Sequence, residues 1–346
     1  MKCTNKKLST KQKELRIRKI RKTVFLILFF LIALLLGTLA LLLFSRMGTL
    51  REPMAYNRSL RMSGTAAKEG ALLEEGIARN LCVGESNTPM DGIESREGEA
   101  AGLFDLQDKE ILFSQNLHEK ISPGNMNQLM AALTAYEALN PEDSVTIEPE
   151  DVVGRRQGTS SGLAAGNVVT VQQLLNAVLV YSADDACYAL ARAAAGDREG
   201  FVEQMNQKAR ELGMTNTVFA NVTGAEDENQ YTTVYDLYLL FHQLLEYPDL
   251  IHAMGLTSYT MNSTKANGDL KQQLLDTDNP YLTGSLSVPK GVTVLGGKFM
   301  SAKEQYATAL LVQNNYGDAF VLIVFRADSE GTMNTRIWEM LEKVNS

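Results

Sequence analysis

Few residues of this 346-residue chain have the types and spacing that chemistry needs. A serine hydroxyl becomes a nucleophile only beside a base. Ser122 has no lysine three residues on, where one helical face would carry both side chains. Ser182 and the distant Lys298 are conceivable as a nucleophile–base pair. Asn125 and Gln128 have the three-residue spacing, but an amide neither attacks as a nucleophile nor takes up a serine proton. His118, His242 and His252 form no motif with a serine and no metal spacing, and they read as ordinary loop or helix residues. The acidic runs Asp184-Asp185 and Glu226-Asp227-Glu228 lack metal-ligand spacing, so neither a metal nor a cofactor is expected. Cys3, Cys82 and Cys187 are too few, and odd in number, for a disulfide framework. Cys187 lies in an Ala-rich stretch and reads as a small buried apolar residue.

The elements that would position these residues follow from periodicity. AGLFDL (101–106) and EILFSQ (110–115) predict a β-hairpin around Gln107-Asp108-Lys109. In SPGNMNQLMAALTAYEAL (122–139), Met126, Leu129, Met130, Leu133 and Tyr136 recur at helical spacing. Pro123-Gly124 marks the entry turn, with Asn125 where an N-cap belongs. On that basis Gln128 reads as a surface helix residue and Lys298 as solvated, while Ser182 and Asp184 read as caps. Residues 145–170 are irregular and Gly-rich. Helices are expected from Thr170, after the break at Ser182-Ala183-Asp184, over about Arg198 to Leu212, and over VYDLYLLFHQLLE. NVTGAEDENQYTT (221–233) is a polar loop. Tyr306–Val312 and Ala319–Phe325 are β-rich runs joined by QNNYGD. A last amphipathic helix carries Met333, Ile337, Met340 and Leu341, and Trp338 is expected in the core. Strands at both ends around a helical middle predict an α+β domain whose terminal strands share one antiparallel sheet.

The N-terminal part has a different character. Residues 1–23 hold ten Lys/Arg and one Glu, a balance of +9, so with −8 overall the remainder carries −17. An acidic body argues against nucleic-acid binding, which needs clustered positive charge. Val24 to Phe44 (VFLILFFLIALLLGTLALLLF) is an uncharged apolar run of 21 residues, about one hydrocarbon core long as a helix. Residues 1–23 then form a cytoplasmic basic segment, 24–44 an uncleaved single-pass anchor, and the rest is extracytoplasmic. Residues 45–99 lack a sustained apolar period and are expected to form a flexible stalk, with order beginning near Ala100.

Five blocks then carry a resemblance. FSQNLHEKISPGNMNQLMAALTAYEAL, GLAAGNVVTVQQLLNAVLVYSADDACYALA, FVEQMNQKARELGMTNTVFANVTG, QYTTVYDLYLL and VLGGKFMSAKEQYATALLV resemble, in order, the serine D-alanyl-D-alanine carboxypeptidases, the low-molecular-mass penicillin-binding proteins. The likeness implies a β-lactamase/transpeptidase-like α+β fold over 100–346, an antiparallel sheet flanked by helices with a helical subdomain. It also implies peptidoglycan stem peptides as substrate and acylation of the active-site serine by penicillins. Active members need Ser-x-x-Lys, Ser-x-Asn and Lys-Thr-Gly. Here the matching positions read Asn125-Met126-Asn127-Gln128, Ser182-Ala183-Asp184 and Lys298-Phe299-Met300, or, one residue out of register, Gly297 in place of Lys298. Asp185 matches a common family residue with a structural role, and Phe299 and Met300 place bulk where the strand should approach substrate. Nucleophile and base are both replaced, and losing one such member alone can cost about 10⁶ in kcat. The expectation is a pseudoenzyme that binds a stem peptide or a cell-envelope protein. An active carboxypeptidase with a relocated nucleophile and a structural part in an envelope complex are the alternatives.

Overall fold

The computed structural model describes residues 80–152, 158–302 and 305–345. The expected cytoplasmic segment and the anchor at 24–44 lie outside the described residues. Among the described residues no helix is long and apolar enough to cross a membrane.

Strands β1 (Ala100–Asp105) and β2 (Glu110–Gln115) form the hairpin at the start of the domain. β7 (Thr293–Ala302), β8 (Gln305–Gln313) and β9 (Ala319–Phe325) form the C-terminal meander. The two sets join because β1 pairs antiparallel with β9, Leu103 opposite Leu322, giving a sheet in the order β2-β1-β9-β8-β7. The central strand β9 is buried from Phe320 to Phe325, as a strand covered on both faces must be. Helix α8 (Glu330–Lys343), capped by Ser329, lays Met333, Ile337, Met340 and Leu341 on one face of the sheet against Phe113, Leu322 and Val324. Trp338 is on the other side of that helix, 38% exposed, with its indole N–H on Glu342. The expectation of a core tryptophan fails because position 338 falls on the polar stripe between Ile337 and Leu341.

The helical middle packs on the opposite face. It consists of α1 (Asn127–Ala138), α2 (Val171–Tyr181), α3 (Asp184–Ala195), α4 (Arg198–Glu211), α5 (Val234–Leu244) and α6 (Pro248–Met254). The single turn α7 (Pro280–Thr283) lies instead on the α8 side, where Tyr281 joins the core and its hydroxyl donates to Asn334. Helix α1 is buried without a break from Asn127 to Ala135 and touches α2, α3, α4 and α5. It is the central post of the subdomain, and its polar residues Asn127 and Gln128 are inside. A second antiparallel sheet, β3 (Ser144–Thr146), β4 (Val168–Thr170), β5 (Ser258–Thr264) and β6 (Leu270–Asp276), flanks this region. Its short polar strands give little apolar alternation, so periodicity reads 145–170 as irregular.

Residues 80–99, expected in the stalk, run along the domain. Cys82 is buried, its N–H on the Tyr238 hydroxyl and its thiol on the Asp105 carbonyl. Thr88 and Ser114 exchange backbone hydrogen bonds. Glu99 is buried against the fully buried Arg336, which also binds Glu339 and the Glu94 carbonyl. The physical reason is polar: few apolar residues hold this segment, so hydrophobic periodicity does not reveal it. Burial raises the Glu99 carboxyl pKa, only partly offset by Arg336, as expected of a pair whose desolvation rivals its attraction. Glu99→Ala leaves the buried Arg336 only the partly exposed Glu339 as an ionic partner and should cost about 3 kcal/mol of unfolding free energy in urea titrations; a loss below about 1 kcal/mol would mean the pair behaves as an exposed one.

Candidate functional site

The five motif positions converge where α1, the α2–α3 turn and β7 meet. The chain enters α1 through Gly124, at φ +53°, and one 3-10 turn, Gly124–Met126. This turn takes over the place of a cap. The α1 N-cap is Met126, without a side-chain bond, so Asn125 does not cap the helix. Its Nδ2 instead reaches across and donates to the Phe299 carbonyl on β7 at 3.2 Å, leaving Oδ1 buried without a partner. Gly224, at φ +86°, backs this entry, and a Cβ there would fall 1.6 Å from the Gly124 carbonyl oxygen.

One turn further on, Gln128 is 1% exposed, which corrects its reading as a surface residue. Its amide works in both directions. Nε2 donates to the Ser182 carbonyl at 3.2 Å and to Asp184 Oδ1 at 3.1 Å, while Oε1 accepts from Lys298 Nζ at 3.0 Å. Lys298 is also buried, at 2%, rather than solvated. Its ammonium has three acceptors: Gln128 Oε1, the Val178 carbonyl at 2.6 Å and Ser182 Oγ at 2.9 Å. All its N–H groups are thereby used. A bulge between Val294 and Gly296 sets the register, with Lys298 opposite Ala309 and the side-chain-free Gly297 opposite Leu310. Gly297 takes φ +141° where a Cβ would meet the Ala309 carbonyl at 2.2 Å.

Ser182 closes α2 in the left-handed conformation, φ 59° and ψ 40°, and the α3 N-cap is Ala183. Neither Ser182 nor Asp184 caps α3 through its side chain, because both are drawn into the Lys298–Gln128 cluster. Asp184 Oδ2 accepts from the Thr159 N–H at 3.0 Å. Asp185 holds the same loop, through Ser160 Oγ at 2.8 Å and Ser161 N–H at 3.0 Å.

The third motif splits between two faces. Phe299 does not fill the cleft. It is buried on the far face among the core residues, 6.4 Å from the Tyr281 ring in an edge contact. Met300 does, lying where a Cβ on Gly124 would meet its Sδ and Cε at 2.6 Å. Beyond Met300 lies a cavity of about 630 Å³ lined by Ser122, Tyr306, Phe325, Arg326 and Asp328, and by none of Gln128, Ser182, Asp184 or Lys298. Val178 and Thr159 join the cluster through backbone atoms, which no sequence motif marks.

Electrostatics follow from burial. Burial pushes the Lys298 ammonium down to about 8, with nearby Asp278 and Asp184 pulling back. Burial pushes Asp184 up to about 6, with the Thr159 N–H opposing and Asp185 adding to the rise. Cys187 is fully buried and raised well above the usual thiol range by burial, so it is no thiolate nucleophile. Among the described residues no group of His, Cys, Asp and Glu could hold a metal ion.

The chain matches the family model for D-alanyl-D-alanine carboxypeptidase over residues 87–305. It is 26% identical to D-alanyl-D-alanine carboxypeptidase DacF of Bacillus subtilis over 253 residues, 72% of this chain and 62% of DacF. It is 29% identical to D-alanyl-D-alanine carboxypeptidase DacD of Escherichia coli over 266 residues, 68% of this chain and 67% of DacD. The chain thus spans about three fifths of DacF. Among solved structures, the Streptomyces K15 DD-transpeptidase superposes with a TM-score of 0.63 at 20% identity, over 70% of this chain and 94% of that one. This likeness shows the α+β penicillin-binding fold and no more.

The titration has a sign. Asp184 holds its proton to about pH 6 when folded but only to 3.8 when unfolded. Its contribution therefore favours the fold below pH 3.8 and is lost as pH rises through 6. The stability of the wild type relative to Asp184→Asn should fall between pH 4 and 7, by up to about 3 kcal/mol, in urea unfolding at a series of pH values. A flat difference would place Asp184 in a solvated setting.

Proposed function

Because the chain belongs to the D-alanyl-D-alanine carboxypeptidase family, we propose that it is a catalytically silent member that recognises a peptidoglycan stem peptide or a cell-envelope protein. Residues 24–44 would hold it in the membrane, with the domain on the extracytoplasmic side. One observation carries the silent reading: Gln128 accepts the Lys298 ammonium while Asn125 bridges to the Phe299 carbonyl. No hydroxyl stands at position 125, no base stands at 128, and the surviving lysine is saturated. The site positions bond to one another instead of facing a substrate. Met300 across Gly124 supports the same reading, because it occupies the approach to the helix start. The cavity beyond Met300 offers a mixed aromatic and charged surface to a ligand.

Fluorescent penicillin tests this on a denaturing gel. The wild type should show no covalent label. Asn125→Ser/Gln128→Lys restores both reacting groups but keeps Met300, so it should label weakly or not at all. Adding Met300→Gly should bring labelling up. Label on the wild type would refute the silent reading.

A second reading rests on the 2.9 Å contact between Lys298 Nζ and Ser182 Oγ. Above pH 8 a neutral Lys298 still has two N–H groups for Val178 and Gln128 and a lone pair for the Ser182 hydroxyl. Such a pair would release D-Ala from a stem pentapeptide increasingly above pH 8, and Ser182→Ala would abolish the release. Against it, Ser182 is 8% exposed and its hydroxyl faces Lys298 rather than the surface. Assays at pH 7 and pH 9 are expected to show no D-Ala above background.

A further inference from the structure

The outer side of the second sheet carries a surface that the site does not use. β6 is an edge strand, and no described strand pairs with its outer side. The β5–β6 ladder fixes which backbone groups face outward. The Lys265 N–H donates to the Asp269 carbonyl, and the Thr277 N–H to the Thr257 carbonyl, in register with Leu270 opposite Thr264. Hydrogen-bonded pairs alternate along an antiparallel ladder. Lys271, Gln273 and Leu275 therefore turn their N–H and C=O groups to β5, while Leu270, Gln272 and Leu274 turn theirs outward.

These three residues, with Asp276 at the strand end, carry the exposed side chains. Leu270 is 75% exposed, Leu274 is 64% exposed, and Gln272 between them is also at the surface. Edge strands are usually guarded by an outward lysine or a proline. Here Lys271, the only lysine of β6, is turned away and donates to the Gly162 carbonyl. Two large apolar side chains and an unpaired backbone edge thus lie in one row with no lysine or proline, and its one charge, Asp276, stands at the strand end.

We propose that a second copy of this chain pairs along β6, antiparallel, with a two-fold axis through Gln272. In that register Gln272 faces Gln272 of the second copy in a hydrogen-bonded pair, Leu270 faces Leu274, and Leu274 faces Leu270. The strand is self-complementary, as a two-fold interface requires. Sliding by two residues either way sets each leucine against Gln272, Gly268 or Asp276, and no leucine meets another. The paired register also sets Asp276 opposite Gly268, so like charges are not opposed. The occupant is a copy of the chain because the pattern matches itself at both ends. A strand pair this short buries less than the roughly 1,200 Å² of standard interfaces, so the association is weak and rises with local concentration.

The test is a register-specific cross-link in the full chain, with Cys3→Ser as background since Cys82 and Cys187 are buried and free. Hydrogen-bonded antiparallel partners lie about 5.5 Å apart at Cα, within disulfide range. Gln272→Cys under copper–phenanthroline oxidation should give a disulfide dimer on a non-reducing gel. Adding Leu270→Asp/Leu274→Asp should abolish it. Thr260→Cys, one strand in on the same exposed face, should give none. No dimer from Gln272→Cys, an equal yield from Thr260→Cys, or a dimer that survives the two aspartates would overturn the proposal.

Discussion

The buried ammonium of Lys298 is the constraint on which the centre of the domain depends. A cation removed from water is tolerable only when paired and when every N–H finds an acceptor. Three elements supply these acceptors: α1 through Gln128, α2 through the Val178 carbonyl, and the α2–α3 turn through Ser182. The left-handed backbone at Ser182 is part of that requirement, since it presents the hydroxyl and carbonyl of one residue to Lys298 and Gln128 respectively. β7 is thereby tied to the helical middle by hydrogen bonds, where the family pattern would place a cleft.

The substitutions at the motif positions make sense together rather than singly. The family pattern would place two ammonium groups and a neutral amide around the serine of the second motif. Here one ammonium has become the amide Gln128, and the amide has become the carboxylate Asp184. The cluster then holds one positive and one negative group, with Gln128 between them. Only a side chain with both a donor and an acceptor can serve there, accepting a hydrogen bond from Lys298 and donating one to Asp184. A lysine at 128 would face Lys298 as a like charge, and a glutamate would have no hydrogen to give Asp184. The three positions therefore form one self-satisfied unit, which is why the burial of each is tolerated.

Much of the scaffold was legible because it rests on apolar periodicity. The two hairpins, the α1 stretch and the C-terminal helix are all spaced apolar runs, and the pairing of β1 with β9 follows from strands at both ends of the domain. What escaped was carried by polar contacts. Residues 80–99 are held by Arg336, Tyr238 and backbone bonds. β5 and β6 are polar strands in a second sheet. Gln128 and Lys298 have the composition of surface residues and are inside only because they satisfy each other. The motif positions were legible through resemblance, but what they now do was not, since a side chain's hydrogen-bond partner has no periodicity. Asn125 illustrates this: its residue type suits a helix cap, and a single 3-10 turn redirects it to β7.

If this family member is catalytically silent, as proposed, these features bear on what it can be selected for. Replacing a buried polar cluster with apolar residues of similar volume is often neutral or stabilising, so stability alone is a weak reason to keep one. A bonded network does favour one arrangement of the elements it joins over others. Here it fixes β7, α1 and the α2–α3 turn in a single closed geometry, with Met300 laid over Gly124. Catalysis needs a cleft that admits substrate and then releases product. Recognition by the outer surfaces needs only that they be held still. The cavity beyond Met300 is lined by none of the cluster's four bonded side chains, and the outer edge of β6 belongs to the second sheet.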